Sequence, residues 1–298
     1  MSNGSKKNYS VALGTFDGIH LGHIPVLTGA LEQKSDQTLV VTFRTPPRAF
    51  LEGEAVPLLM TPESKVKGLK ALGFDDCLVL DFADVRSVAP DEFTEGLLKQ
   101  YNITSFFCGY NYRYGKDGKG NTDTLKSFCA ERQIAVRVCD EVRANGGTVS
   151  SSVIRAHIQA GRLEQANQLL GRPFSFTARV VKGNGVGKKL GFPTVNQCPI
   201  EGLVMPGFGV YATNAVVDGK RYASITNVGI RPTFMTSKPV YETNIFGLDR
   251  EIYNKNVTIE FFKFIRPEKR FESAAQLVKT VEENLCEVKE FFKDDFKF

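Results

Sequence analysis

The sequence predicts an α/β domain built on a mostly parallel sheet, followed by a small antiparallel β-barrel that ends in a helix. Three observations carry this. Strand-like and helix-like segments alternate through the first half, the order of a parallel sheet with helices on both faces. After Gly171-Arg172-Pro173 the pattern changes to β-rich runs separated by Gly, Pro, Asn and Asp clusters. Helical spacing then returns only at Ser273–Phe292, so the five or six preceding strands are expected to bury their apolar sides in a small closed or nearly closed barrel.

In chain order, Tyr9–Leu13 reads as a strand, Ile24–Gln33 as a helix and Leu39–Phe43 as a short run of strand formers. Glu63–Leu72 has helical spacing and stops at Gly73, a natural C-cap. Cys77–Asp81 is an apolar strand, Asp91–Gln100 a helix, Ser105–Cys108 a strand, Asp123–Arg132 a helix and Ala135–Val138 a strand. Ser150–Leu170 is helical with a break near Gly161. It ends where a glycine is followed two residues later by a proline. The domain boundary is expected there, giving domains 1–171 and 172–298. Beyond it, Phe176–Val181, Gly209–Val216, Arg221–Thr226, Tyr241–Phe246 and Val257–Phe264 read as strands, with Asp218-Gly219 as a hairpin turn.

A chain of 298 residues accommodates two cores. Its 38 Lys and Arg against 33 Asp and Glu leave a net charge of +5 without a block of like charges. That suits a phosphate-bearing small ligand and does not call for nucleic acid. The six cysteines form no C-x-x-C pair, which argues against a zinc knuckle or a redox motif and for reduced, packed thiols. No apolar leader and no run of eighteen apolar residues occur, so a cytoplasmic protein without a membrane partner is expected.

Two stretches carry chemistry. In Val11-Ala12-Leu13-Gly14-Thr15-Phe16-Asp17-Gly18-Ile19-His20-Leu21-Gly22-His23 an apolar strand enters a turn with Gly14 and Gly18 and then a helix. Backbone N–H groups there can receive phosphate. His20 and His23, three apart, share a face and can donate to the oxygens of a nucleoside triphosphate. A zinc site is disfavoured, because H-x-x-H lacks the Glu of H-E-x-x-H. The second stretch is Gly183-Asn184-Gly185-Val186-Gly187-Lys188-Lys189-Leu190-Gly191-Phe192-Pro193-Thr194-Val195-Asn196. It is not a Walker A loop, since three residues separate Gly183 from Gly187 and Lys189 occupies the Ser/Thr place. Gly183, Gly185, Gly187 and Lys188 can still let a backbone approach phosphates. Thr194 and Asn196 alternate along a strand and offer neutral oxygens to Mg2+. By spacing alone this stretch is equally an ordinary turn.

The G-x-F-D-G-x-H-x-G-H stretch resembles the nucleotidyltransferase motif of bacterial bifunctional riboflavin kinase/FAD synthetases. Val149-Ser150-Ser151-Ser152-Val153-Ile154-Arg155 is similar to that family's S-S-T-x-I-R segment, which implies that Ser151, Ser152 and Arg155 contact ATP phosphates; an ordinary serine N-cap is the plainer reading, and both can hold together. Gly109-Tyr110-Asn111-Tyr112-Arg113-Tyr114-Gly115 resembles G-x-[DN]-F-x-F-G, which implies that Asn111 binds the flavin phosphate. The G-x-G-x-x-L-G-F-P-T-A-N pattern of riboflavin kinases is matched with Val195 in place of Ala. The linker Glu164–Pro173 and the stretches 206–211, 226–234, 241–246 and 262–271 also match in order and spacing, so the resemblance covers nearly the whole chain. Glu242 falls on the family's carboxylate, the implied base for the ribityl hydroxyl. The sequence departs from the family where Pro46 and Asn244 replace histidines; Arg44 or Arg48 would compensate at the first.

The resemblance implies a Rossmann-like first domain that turns FMN and ATP into FAD. It implies a barrel that turns riboflavin and ATP into FMN, with Mg2+ on Thr194 and Asn196. Gly14, Phe16, Asp17 and Gly18 would shape the first nucleotide site. The expected partners are ATP, riboflavin, FMN and FAD. Three alternatives stand beside this reading: one activity retained, a different phosphate acceptor, or a nucleic-acid-binding barrel.

Overall fold

The computed structural model describes residues 7–47, 56–144, 146–183, 185, 187, 190–230 and 239–296. Contacts divide the chain into Met1–Val153 and Ile154–Phe298, earlier in the chain than the boundary expected at Gly171.

The first unit is a five-stranded sheet of β1 (Asn8–Leu13), β2 (Gln37–Phe43), β3 (Asp76–Leu80), β4 (Asn102–Gly109) and β5 (Ala135–Cys139), ordered β3-β2-β1-β4-β5. Every neighbouring pair is parallel. The helices are α1 (Ile24–Glu32), α2 (Pro62–Ala71), a short α3 (Phe82–Val85), α4 (Pro90–Gln100) and α5 (Thr122–Ala130).

The pleat sorts the strand residues. Val11, Leu13, Leu39 and Val41 pack against Phe93 and Leu97 of α4 and Leu125 of α5, while Ala12 and Val40 pack against Val26 and Leu27 of α1 and Leu69 of α2. Both faces of the strands are covered, which is why they read as apolar runs rather than alternating ones. Strands run outward from β1 to β3, then return on its other side as β4 and β5. The carboxyl ends of β1 and β4 therefore flank a switch in strand order, where open α/β sheets bind ligands. A small hairpin of β6 (Arg143–Ala144) and β7 (Gly147–Thr148) precedes α6 (Ser151–Gln159); the sequence reading does not contain it.

The second unit begins within α6. Gly161, at φ +73°, makes the break before α7 (Leu163–Leu170). On α7, Asn167 donates to the Phe261 carbonyl at 2.8 Å and accepts from Phe174 N at 2.7 Å, fixing the helix to barrel strands. The strands are β8 (Phe174–Val181), β9 (Val195–Gln197), β10 (Gly209–Val217), β11 (Lys220–Ile230), β12 (Pro239–Ile245) and β13 (Asn256–Arg266). They close as β10-β11-β12-β9-β8-β13, antiparallel throughout.

Three-residue β9 closes the barrel, pairing with both β12 and β8. Inside, the hydroxyls of Ser224, Thr213, Thr226 and Thr243 form a buried chain at 2.8–2.9 Å, so these polar groups stay satisfied. The terminal helix α8 (Ala274–Phe291), capped by Ser273, covers the outside of β10 and β11 with Val288 and Phe292 on Val210, Ala212, Ala223 and Ile225.

Candidate active sites

The turn after β1 is held in an unusual shape. Phe16 (φ 47°), Gly18 (φ 89°) and Ile19 (φ 43°) all lie in the left-handed region. For β-branched Ile19 that is costly, on the order of 1–3 kcal/mol. Burial and hydrogen bonds compensate. Phe16 and Ile19 are core residues. The Asp17 carboxylate accepts from Leu59 N at 2.8 Å, and its carbonyl accepts from Ser151 Oγ at 2.9 Å. The Thr15 carbonyl accepts from Thr42 Oγ1 at 2.8 Å and from Lys65 Nζ at 3.0 Å.

This turn delivers the two histidines. The buried His20 ring stacks on His23 at 3.6 Å between centroids and 19° between planes, and the Phe16 ring meets His23 edge-on at 5.3 Å. Backbone N–H of His20 donates to His23 Nδ1 at 3.3 Å. With Nδ1 accepting, the His23 proton sits on Nε2, so His23 presents a donor away from the turn. Two glycines are required for space. A Cβ on Gly14 would lie 2.8 Å from the Phe16 ring, and one on Gly22 would lie 2.8 Å from the Val149 carbonyl and 3.0 Å from the His20 imidazole.

The start of α6 thus reaches the turn. Val153 N bonds Ser150 Oγ at 3.4 Å, so Ser150 takes the cap role, Ser151 ties to Asp17, and Ser152 is exposed. Arg155 lies one helical turn further along α6, half-buried. Exposed Asn111 follows β4, the strand paired with β1, at the same carboxyl edge of the sheet. Tyr112 and Tyr114 stack behind it at 5.5 Å. Burial pushes the Tyr112 hydroxyl pKa far up, leaving it a neutral packing group. Pro46 is buried; Arg44 pairs with Asp81 at 3.4 Å, and Arg48 lies outside the described residues.

On the barrel, β12 points Tyr241, Thr243 and Ile245 inward and Glu242 and Asn244 outward. Glu242 is paired with Asn196 of β9 and Asn227 of β11. A cavity of about 270 Å³ lies over this outer face, with Glu242, Asn244 and Asn227 on its wall. Its other side is supplied by Phe271 and by Leu277 and Val281 of α8. A second cavity, of about 320 Å³, is lined by Gly183, Asn196 and the Leu248–Tyr253 segment. Thr194 and Gly185 line both, so the two cavities meet at the glycine stretch.

Gly183 and Gly187 are forced. Their Cβ atoms would lie 2.3 Å from Asn196 Nδ2 and 2.4 Å from the Phe192 carbonyl. Asn196 Oδ1 is buried and finds no hydrogen-bond partner among the described residues. An amide oxygen left so, two residues from the Thr194 hydroxyl, suits a hard cation. Asn244 donates to the Pro193 carbonyl at 2.7 Å, so the residue that departs from the family pattern ties β12 to the Thr194 turn. Lys188 lies outside the described residues.

The sequence reading did not single out Lys65, Asn227 or the α8 wall. Lys65 had a signal: it stands four residues before buried Leu69, where an inward side chain is expected. Among the described residues, no group of three or more His, Cys, Asp or Glu converges as a metal site, and no helix is long and apolar enough to cross a membrane.

Comparison with known proteins agrees with this geometry. The FAD synthetase family model matches residues 2–153 and the riboflavin kinase family model residues 170–292. The bifunctional riboflavin kinase/FMN adenylyltransferase of Bacillus subtilis is 32% identical over 95% of this chain and 92% of its own. The protein of the same name from Listeria monocytogenes is 33% identical over 96% and 93%. A crystal structure described as a macrolide-efflux protein from Streptococcus pneumoniae superposes with a TM-score of 0.85 at 28% identity, over 100% of this chain and 96% of that one. With both domains matched in order and the relatives aligned nearly end to end, the chain belongs to the bacterial bifunctional riboflavin kinase/FMN adenylyltransferase family.

Proposed function

We propose that the two reactions run at the two separate sites described above, with named residues in each. In the barrel, riboflavin lies in the cavity beside Glu242 and ATP in the cavity lined by Gly183 and Asn196. The observation that supports this is the meeting of the cavities at Thr194 and Gly185: with both occupied, the γ-phosphate would lie next to a hydroxyl held by Glu242. Glu242 accepts the proton of the terminal ribityl hydroxyl, whose oxygen bonds to the γ-phosphorus as ADP leaves. A positioned base of this kind contributes a factor of about 10²–10⁴. Thr194 Oγ1 and Asn196 Oδ1 would hold Mg2+, which when bound offsets charge on the β- and γ-phosphates. Asn244 keeps the Thr194 turn in register through Pro193.

At the first unit's turn, the FMN phosphate oxygen bonds to the α-phosphorus of ATP and pyrophosphate leaves. His23 Nε2–H and the His20 imidazole donate to phosphate oxygens as charge builds, each such donor being worth about 2.7–4 kcal/mol. Ser152 and Arg155 follow along α6 as further phosphate contacts, and Asn111 receives the FMN phosphate. Ser151 serves by holding Asp17. Positioning and charge stabilisation carry both steps, with no covalent enzyme intermediate. All six cysteines are free thiols, which suits a cytoplasmic enzyme.

Incubation with riboflavin and Mg·ATP, followed by chromatography, tests the reading. FMN should form first and FAD after it, and FMN supplied alone with Mg·ATP should give FAD. Absence of both products would refute it.

A further inference from the structure

A buried cation lies beneath the adenylylation turn without a role in the steps above. Lys65 is 3% exposed. Its Nζ donates to the Thr15 carbonyl at 3.0 Å and the Phe43 carbonyl at 2.5 Å. The first belongs to the strained turn, and the second ends β2, the neighbour of β1. Asp17 acts on it as the nearby opposite charge. Desolvating an ammonium is expensive, and an apolar side chain of similar length on α2 would pack there at less cost. The charge therefore answers a need other than packing. That need is visible in the turn, where three of four residues from Phe16 to Ile19 have positive φ and must be held by their surroundings. The Thr15 carbonyl is gripped from two elements at once, by Thr42 of β2 and Lys65 of α2.

We propose that Lys65 is a positioning residue for FAD formation: its ammonium clamps the Thr15 carbonyl to the end of β2 and so holds the turn that presents His20 and His23 to the triphosphate. This rests on the assignment of adenylylation to that turn. The charge-assisted bonds are the strong members of the clamp, and the Thr42 hydroxyl is the weaker one.

The test uses the full chain with FMN and Mg·ATP, and riboflavin phosphorylation by the same preparation as the control. Lys65→Met should lower kcat/KM for ATP in FAD formation by roughly 10- to 100-fold, the range for losing a charged hydrogen bond, with FMN formation unchanged. Lys65→Arg should recover part of the loss. The split between constants is decisive. Partial unfolding of the first unit lowers apparent kcat alone, because the remaining folded molecules keep their KM, whereas a displaced turn also raises KM for ATP. Thr42→Val, a smaller perturbation of the same carbonyl, should raise KM in the same direction by about 3- to 10-fold. Wild-type KM in both Lys65→Met and Thr42→Val would overturn the proposal. So would a Lys65→Met defect in kcat alone that tracks loss of folded first unit by hydrogen exchange. Failure of the underlying assignment looks different: His20→Ala/His23→Ala would then make FAD at the wild-type rate.

Discussion

Gly22→Ala isolates the geometry of the histidine turn, because the obstacle to a side chain there is space alone. Gly22 has none of the positive φ found at Gly18, so alanine suits its backbone. The new Cβ would lie 2.8 Å from the Val149 carbonyl, whereas ordinary contact begins at 3.4 Å. Something must retreat by about 0.6 Å. The His20 imidazole, 3.0 Å away, is buried and stacked on His23 at 3.6 Å, so it moves only with its partner. The other route pushes Val149 back, and with it Ser151, which holds the Asp17 carbonyl. Either way the displacement reaches the proposed phosphate donors. A misplacement of about 1 Å costs about 10²-fold, so FAD formation should fall roughly 10- to 100-fold. Overpacking should cost about 1–3 kcal/mol of first-unit stability. The assay is FAD production from FMN and Mg·ATP, alongside FMN production from riboflavin, which should not change. FAD formation within twofold of wild type, with intact folding, would refute the reasoning.

Four further outcomes are expected. Glu242→Gln should lower FMN formation by about 10²–10⁴-fold while leaving FAD formation from supplied FMN intact; loss of both in a folded protein would count against separate sites. Asn196→Ala should shift the Mg2+ dependence of riboflavin phosphorylation to higher concentration, and an unaltered titration would exclude ligation by Asn196. Asn244→Ala removes the bond to Pro193 and should raise the KM for Mg·ATP in FMN formation by about 3- to 10-fold; an unchanged value would mean that the bond does not position Thr194. The last concerns pH. Burial pulls the Lys65 ammonium from its ordinary 10.5 down to about 8, with Asp17 opposing. Between those values the folded protein has released a proton that the unfolded chain keeps. Stability from this group therefore rises with pH across that window, by at most about 3 kcal/mol. Melting of wild type relative to Lys65→Met from pH 7 to 10 should show the wild type gaining, and a constant difference would refute the burial of charge.

Local pattern determined much of this protein. Apolar runs between helical stretches specified the parallel sheet, because each strand needed cover on both faces. The Gly171-Arg172-Pro173 stop was legible because glycine and proline act on their own backbone; Gly171 adopts φ 72° at the end of α7. His20, His23, Thr194 and Asn196 could be put forward from residue type and short spacing, and Glu242 only from the family resemblance. The strand carrying Asn196 could be read, but the pairing of three-residue β9 could not, since its ladders run to β8 and β12, far off in the chain. Nor could the placement of α7, which follows from Asn167 bonding to Phe261. The burial of Lys65 had only its spacing from Leu69 as a signal. A lysine on a helix reads as solvated until the strands beneath it supply carbonyls. What only the tertiary structure decided was therefore each feature whose stabilising partner lies tens of residues away: the closure of the barrel through β9, the meeting of two cavities at Thr194, and the clamp on Thr15. Such features depend on where the backbone is carried, and no local window of sequence contains that information.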